Sequence, residues 1–245
     1  MMLIDTKKRS EETEIMDDFT LAGPTLRASL DQLATINKWL GGNAVTLSGL
    51  REMLADVPRT TSVRILDLGC GNGDLLRLVA DWGRRAGRRL ELVGIDGNAD
   101  TVAYARELSL KYPEIAYRRE MIPSPTLRET DYDLVLCTLF LHHFSTEAMT
   151  ELLAAVCKRA RIGVIVNDLQ RSKTAYSLFN ALTFFIRNRM IREDGLTSIL
   201  RGFQRRELQA VAEQLPAYRA RVRWRWAFRY QWLLWTGPPV SKEER

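Results

Sequence analysis

The residues best suited to chemistry lie in three short segments. The first reads Ile65-Leu66-Asp67-Leu68-Gly69-Cys70-Gly71-Asn72-Gly73-Asp74. Glycines let a backbone turn sharply and approach a ligand closely, and a helix opening after such a loop presents unpaired N–H groups to it. A nucleotide-like cofactor is the natural ligand. The dinucleotide fingerprint spaces its glycines G-x-G-x-x-G, whereas Gly69, Gly71 and Gly73 alternate here, and no Lys-Ser/Thr pair follows to make a P-loop. Asp67, two residues before the first glycine, would repel a pyrophosphate and suits a positively charged amino-acid moiety. The second segment, Val93-Gly94-Ile95-Asp96, ends in a carboxylate that can take both hydroxyls of a ribose. Capping the next helix is its plainer role. The third pairs the chain's two histidines, His142 and His143, with the Val166-Asn167-Asp168 segment.

These residues need a scaffold that brings them together. The chain has 245 residues, 46% hydrophobic and 27% charged, which is enough for one domain with a sizeable core. From Val63 the hydrophobic pattern alternates between strand and helix. Strands are expected over 63–68, 90–96, 115–118, 133–140 and 162–166, with helices between them. Continuous apolar strands in β-α alternation predict an α/β fold, a parallel sheet covered by helices on both faces, with ligands beyond the carboxyl ends of its strands. Residues 218–226 and 229–235 are too close together for an intervening helix and should pair antiparallel. In the first of these, Arg219, Arg221, Arg223 and Arg225 share a face, expected to be the outer one, opposite Ala220, Val222, Trp224 and Trp226.

Three regions flank this alternation. Residues 1–60 read as a helical cap, with Pro24 opening one helix and Gly41-Gly42 stopping it, and a second helix over 45–56. Residues 61–236 form the main domain, and 237–245 a tail. The long connection 170–203 carries an apolar helix over 175–186 that is too short to span a bilayer and must be covered by something. We read it as a lid, built with residues 12–40, over a pocket for a flat or greasy small molecule; a homodimer contact is the alternative. Net charge is +6, and the three cysteines are too few and too scattered for a disulfide framework or a zinc site. No metal is expected, and a cytoplasmic location is.

At these residues the sequence resembles the class I S-adenosylmethionine-dependent methyltransferases. The matching parts are the D-x-G-x-G-x-G loop at 67–73, Gly94-Ile95-Asp96, Tyr132-Asp133-Leu134-Val135, Leu141-His142-His143-Phe144 and the terminal strand pair. The small-molecule group related to quinone biosynthesis is the most similar. The resemblance implies a doubly wound, Rossmann-like seven-stranded sheet, mostly parallel with its last strand antiparallel. It implies S-adenosyl-L-methionine as cofactor, with Asp67 and Gly69 at the methionine end, Asp96 on the ribose, and Cys70, Gly71, Gly73, Gly97 and Thr138 completing the wall. About twelve positions before the strand-four aspartate the family carries an acidic residue that contacts the adenine amine; counting back from Asp133 gives Met121, with Glu120 beside it, so either this loop is one residue longer or that contact is missing.

Methyl transfer is an in-line displacement in which alignment does most of the work, and an oxygen acceptor usually also needs a base. Alternation along a strand would let only one histidine face the cofactor. The expected catalytic residues are therefore His143, as base, and Asp168, orienting it or holding the substrate. The expected reaction is methylation of oxygen or carbon on an aromatic or lipophilic acceptor. The chain lacks Asn/Asp-Pro-Pro-Tyr/Phe after its fourth strand, which argues against a nucleic-acid amine. RNA or protein methylation, and a non-catalytic cofactor-binding subunit, are the rival readings.

Overall fold

The computed structural model describes residues 5–124 and 126–236; the expected tail at 237–245 lies outside them. Two helices, α1 (Pro24–Trp39) and α2 (Gly42–Met53), precede the alternation. It then runs β1 (Val63–Leu68), α3 (Asp74–Arg85), β2 (Leu90–Asp96), α4 (Ala99–Leu108), β3 (Ile115–Arg119), the one-turn α5 (Thr126–Glu129), β4 (Tyr132–Thr138), α6 (Thr146–Cys157) and β5 (Ala160–Leu169). After β5 come α7 (Lys173–Leu182), α8 (Arg189–Arg201) and α9 (Arg205–Glu213), then the hairpin β6 (Arg219–Arg225) and β7 (Arg229–Trp235). The strand order is β3-β2-β1-β4-β5-β7-β6, with β7 antiparallel to both neighbours. The expected seven-stranded, mostly parallel sheet is therefore present.

Successive side chains of a strand face opposite ways, so strands apolar at every position feed two cores. Leu66, Leu68, Val135, Val166 and Trp232 join α6 and α9 on one face. Ile65, Leu134, Leu136, Ile165 and Leu233 meet α2 and α3 on the other. Each fully buried leucine in these layers contributes about 2 kcal/mol of transfer free energy. Gly49 lets α2 lie close, since a Cβ there would stand 2.9 Å from Leu233 and 3.1 Å from Ile165. The second N-terminal helix is thus one of the sheet's covering helices. No described helix is long and apolar enough to cross a membrane.

Two expectations about strands need correction. Strand β4 ends at Thr138, because Leu139 takes a left-handed conformation (φ 52°) and turns the chain into a 3-10 turn over Leu141–His143. The histidines therefore do not alternate along a strand. The arginine face of β6 is not its outer face. Arg221 and Arg223 both reach Glu52 of α2, Arg225 donates to Gln231, and Arg219 and Arg221 stack on Trp235. Arginine stems cover apolar surface while their heads find charge. Trp224 and Trp226, on the opposite face, are the more exposed side chains.

Candidate active site

The glycine loop crosses the carboxyl end of β1 in a shape that glycine alone adopts without strain. Gly69, Gly71 and Gly73 have φ of 68°, 52° and 76°, and the amides of Gly69 and Cys70 both donate to the Ile95 carbonyl. At Gly73 the neighbouring side chain adds a second constraint, because a Cβ would collide with the Tyr117 hydroxyl. A Gly73→Ala variant should lose about 1–2 kcal/mol from the left-handed backbone alone, and more from the displaced tyrosine. Thermal melting checks the stability loss, and ligand titration should show a weakened loop.

Carboxylates ring this loop. Asp96 accepts from the Gly71 amide at 3.1 Å and from the Asn98 amide at 3.0 Å, so it pins the loop to the end of β2. The N-cap of α4 is Asn98, whose side chain accepts from Thr101, and this leaves Asp96 free of capping. Asp74 accepts from Asn43 at 2.6 Å. Asp67 is 2% exposed, and burial, with Asp74 and Asp96 nearby, pushes its carboxyl well above the usual carboxylate range. Burial also raises Asp96. Among the described residues no Lys or Arg forms an ion pair with any of the three. A cradle of this kind suits a ligand that brings positive charge and hydroxyl donors, and it opposes phosphate.

Five of the predicted wall residues meet at one cavity beside this loop, whereas Gly73, Asp96, Gly97 and Met121 do not line it. Asp67, Gly69, Cys70, Gly71 and Thr138 line one cavity together with Asn37, Asn43 and Leu139. Cys70 is buried behind the loop, with its Sγ against Gly94. Thr138 Oγ1 sits 2.8 Å from Thr46 Oγ1, a link to α2. Gly97 faces the Phe19 ring and the Met121 sulfur, and Met121 is 53% exposed. Glu120 accepts from Ser124 at 3.0 Å.

Beyond Leu139 lies a buried charged network. Asp168 is inside β5, which is longer than its apolar run predicts, and it accepts from His142 Nδ1 at 2.7 Å and from the His142 amide at 3.2 Å. On the other side of the ring Glu14 Oε1 stands 3.4 Å from His142 Nε2. Although burial opposes the charge, two flanking carboxylates outweigh it and push His142 up to about 10, so the ring is an imidazolium at neutral pH. Burial alone would raise both acids, but His142 holds Glu14 and Asp168 below the usual carboxylate range. His143, stacked 4.2 Å from His142, instead meets Asp17 through Nδ1 at 2.7 Å. Asp168 therefore orients His142 and leaves His143 to Asp17. The carbonyls of this turn are clamped by Arg9 and Arg201. One possible ligand atom from each of Glu14, His142 and His143 lies within 4.8 Å of the other two, a set that could ligate a metal. Arg201 stands 2.7 Å from Asp17 and 3.8 Å from Glu14, so the cluster already carries its own counter-charge.

The network closes one end of a cavity of about 240 Å³. Leu33 and Ile36 of α1 with Leu40 just after it, Leu178, Phe179 and Leu182 of α7, and Ile191 and Ile199 of α8 make its apolar walls, with Trp226 and Phe228 of the hairpin at its side. His142 lines it, and His143 does not. Leu33, Asn37 and Leu139 line both this cavity and the one at the glycine loop, so the two meet there. Glu14, Asp17, Asn37, Arg201 and Arg229 were absent from the sequence-based site, because nothing local marks residues that converge only through the fold.

A glycine-loop cradle at the carboxyl ends of β1 and β2, on this strand order, defines the class I S-adenosylmethionine-dependent methyltransferase architecture. Residues 65–163 match the family described as a methyltransferase domain. A curated relative, the 2-phytyl-1,4-naphtoquinone methyltransferase of Thermosynechococcus vestitus, is 50% identical over 52 residues, 21% of this chain and only 22% of that protein. Among solved structures, the plantazolicin methyltransferase BpumL in complex with SAH superposes with a TM-score of 0.65 at 14% identity, covering 87% of this chain and 89% of that one. The magnesium protoporphyrin IX methyltransferase ChlM from Synechocystis PCC 6803, with bound SAM, gives 0.54 at 16% identity, covering 89% and 87%. At these identities the two structures establish the fold.

Proposed function

We propose that this protein transfers a methyl group from S-adenosylmethionine to a small, largely apolar acceptor held in the cavity behind Leu139. The observation that carries the donor is the ring of Asp67, Asp74 and Asp96 around the glycine loop without a basic partner. The donor's ammonium and sulfonium supply the missing positive charge, and its ribose diol supplies donors to Asp96. Known relatives with bound SAM or SAH support this reading. The acceptor reading rests on the apolar walls and on the junction at Leu33, Asn37 and Leu139, where an acceptor atom can line up with the methyl group.

In this reading Asp168 is a positioning residue that holds His142. An imidazolium between two carboxylates does not take a proton, so His142 acts as a fixed positive charge and hydrogen-bond donor toward developing or resident negative charge on the acceptor. His143 keeps a structural place with Asp17. Three buried free cysteines are compatible with a cytoplasmic setting. Calorimetric titration with S-adenosylhomocysteine, with NADH in a parallel cell, tests the donor. Binding of the first alone supports the reading, and binding of NADH alone overturns it. Methyl transfer from labelled donor into phenolic and long-chain pools then tests the acceptor class.

A further inference from the structure

Four charged side chains line the apolar cavity: Glu14, His142, Asp194 and Arg229. Three of them have charged or multiple backbone partners. Glu14 faces His142, and the Asp194 carboxylate accepts from the Ile15 and Met16 amides at 2.6 and 3.0 Å. Arg229 is different. It is 3% exposed, and among the described residues no carboxylate forms an ion pair with it. Nη2 donates to Asn37 Oδ1 at 2.6 Å, while Nε and Nη1 are buried with no hydrogen-bond partner. Burial pulls this guanidinium down to about 10 against the opposing field of the buried Asp168 carboxylate, with which it forms no ion pair, and this leaves it charged at neutral pH. A buried, unpaired cation costs several kcal/mol unless something offsets it.

The fold holds this group in place. Arg229 is the first residue of β7, paired with Leu169, and Gly42 makes room for it, since a Cβ there would stand 2.9 Å from the guanidinium carbon. Its partner Asn37 lines both cavities and so marks their junction. We propose that Arg229 is an anion-recognition residue and that the acceptor is an apolar molecule with an anionic head, a carboxylate, phenolate or enolate, placed by Arg229 at that junction. Guanidinium recognises oxyanions through charge-assisted N–H bonds, and Nε and Nη1, on opposite sides of Nη2, are the two nitrogens left without a partner. The proposal rests on the methyltransferase reading for what happens to the head, but not for its binding. If the head is itself the nucleophile, the oxyanion lone pair forms the new O–CH3 bond as the S–CH3 bond breaks. The sulfonium takes that electron pair to become a neutral thioether, and no proton is released. That accounting agrees with a site whose histidine is already protonated.

The test compares 2-naphthoate with its neutral counterpart 2-naphthamide by calorimetry, with S-adenosylhomocysteine saturating in both cells. The wild-type protein should bind the carboxylate at least about tenfold more tightly. Arg229→Met keeps the volume and removes the charge. It should abolish that preference, leave the affinity for S-adenosylhomocysteine unchanged, and melt at the same or a higher temperature, because an unpaired buried cation is gone. A purely structural arginine would give the opposite melting shift. Arg229→Lys, which keeps the charge and loses the fork, should retain part of the preference and covers the case in which the methionine variant fails to fold. Equal affinity of the wild type for the two probes, binding of neither, or a preference that survives Arg229→Met overturns the proposal. Loss of S-adenosylhomocysteine binding with the naphthoate preference intact would instead count against the donor reading alone.

Discussion

Asp96→Ala should weaken S-adenosylhomocysteine binding about a hundredfold, which corresponds to ~2.7 kcal/mol. Two effects add. In the proposed reading the carboxylate accepts from the ribose hydroxyls, and hydrogen bonds to a charged acceptor are the strong ones. It also fixes the loop, through the Gly71 amide at 3.1 Å, in the shape the ligand needs. The ligand-free protein should be affected far less, because burial already disfavours this charge and holds Asp96 above the usual carboxylate range. Asp96→Asn keeps an acceptor for Gly71 but offers a donor in place of one ribose acceptor, so it should fall between wild type and alanine. Titration calorimetry reads the affinities and thermal melting reads the fold. A Kd for Asp96→Ala within a few-fold of wild type would remove the ribose from this position.

How far the sequence carries toward this site depends on whether a feature is local. Strand β1 and its glycine loop were legible to the residue, because an apolar run meets alternating glycines and a helix start within one short stretch. The same holds for β7, bounded by the turn at 226–228. The apolar run overstates the end of strand β4 by two residues, since the left-handed Leu139 that ends it has no compositional mark. A longer strand would carry both histidines, whereas the turn sets His142 against the cavity and His143 away from it. Asp168 meets the ring of His142, and which of the two rings it reaches depends on a turn that only the fold reveals. The arginine alternation in β6 was real, and its direction was misjudged. Glu52, on a distant helix, and Trp235, across the hairpin, draw the basic face inward. Arg229 and Asn37 lie far apart in the chain and meet only because α1 packs over the start of β7.

The other large effect concerns His142 and is clearest as a function of pH. Its folded pKa, about 10, lies above its ordinary value of 6.5, so the stabilisation it provides is complete below about 6.5 and fades as pH rises through 10. Glu14 and Asp168 are held below their ordinary 4.5 and 3.8, so their contribution is present above those values and fades as pH falls beneath them. The network is therefore worth most between pH 4.5 and 6.5, the interval bounded by Glu14 and His142. His142→Gln leaves two buried carboxylates facing a neutral amide and should cost about 3–5 kcal/mol in that interval. Denaturant melts of wild type and variant across pH measure the gap. It should be widest between the two limits and shrink steadily toward pH 10. A gap that stays constant from neutral to alkaline pH would mean that the ring is neutral in the folded protein, and His142 would again be available as a base. A shrinking gap fixes it as a permanent cation beside the acceptor cavity. In the proposed reading the acceptor is then one that is already an anion or is easily made one.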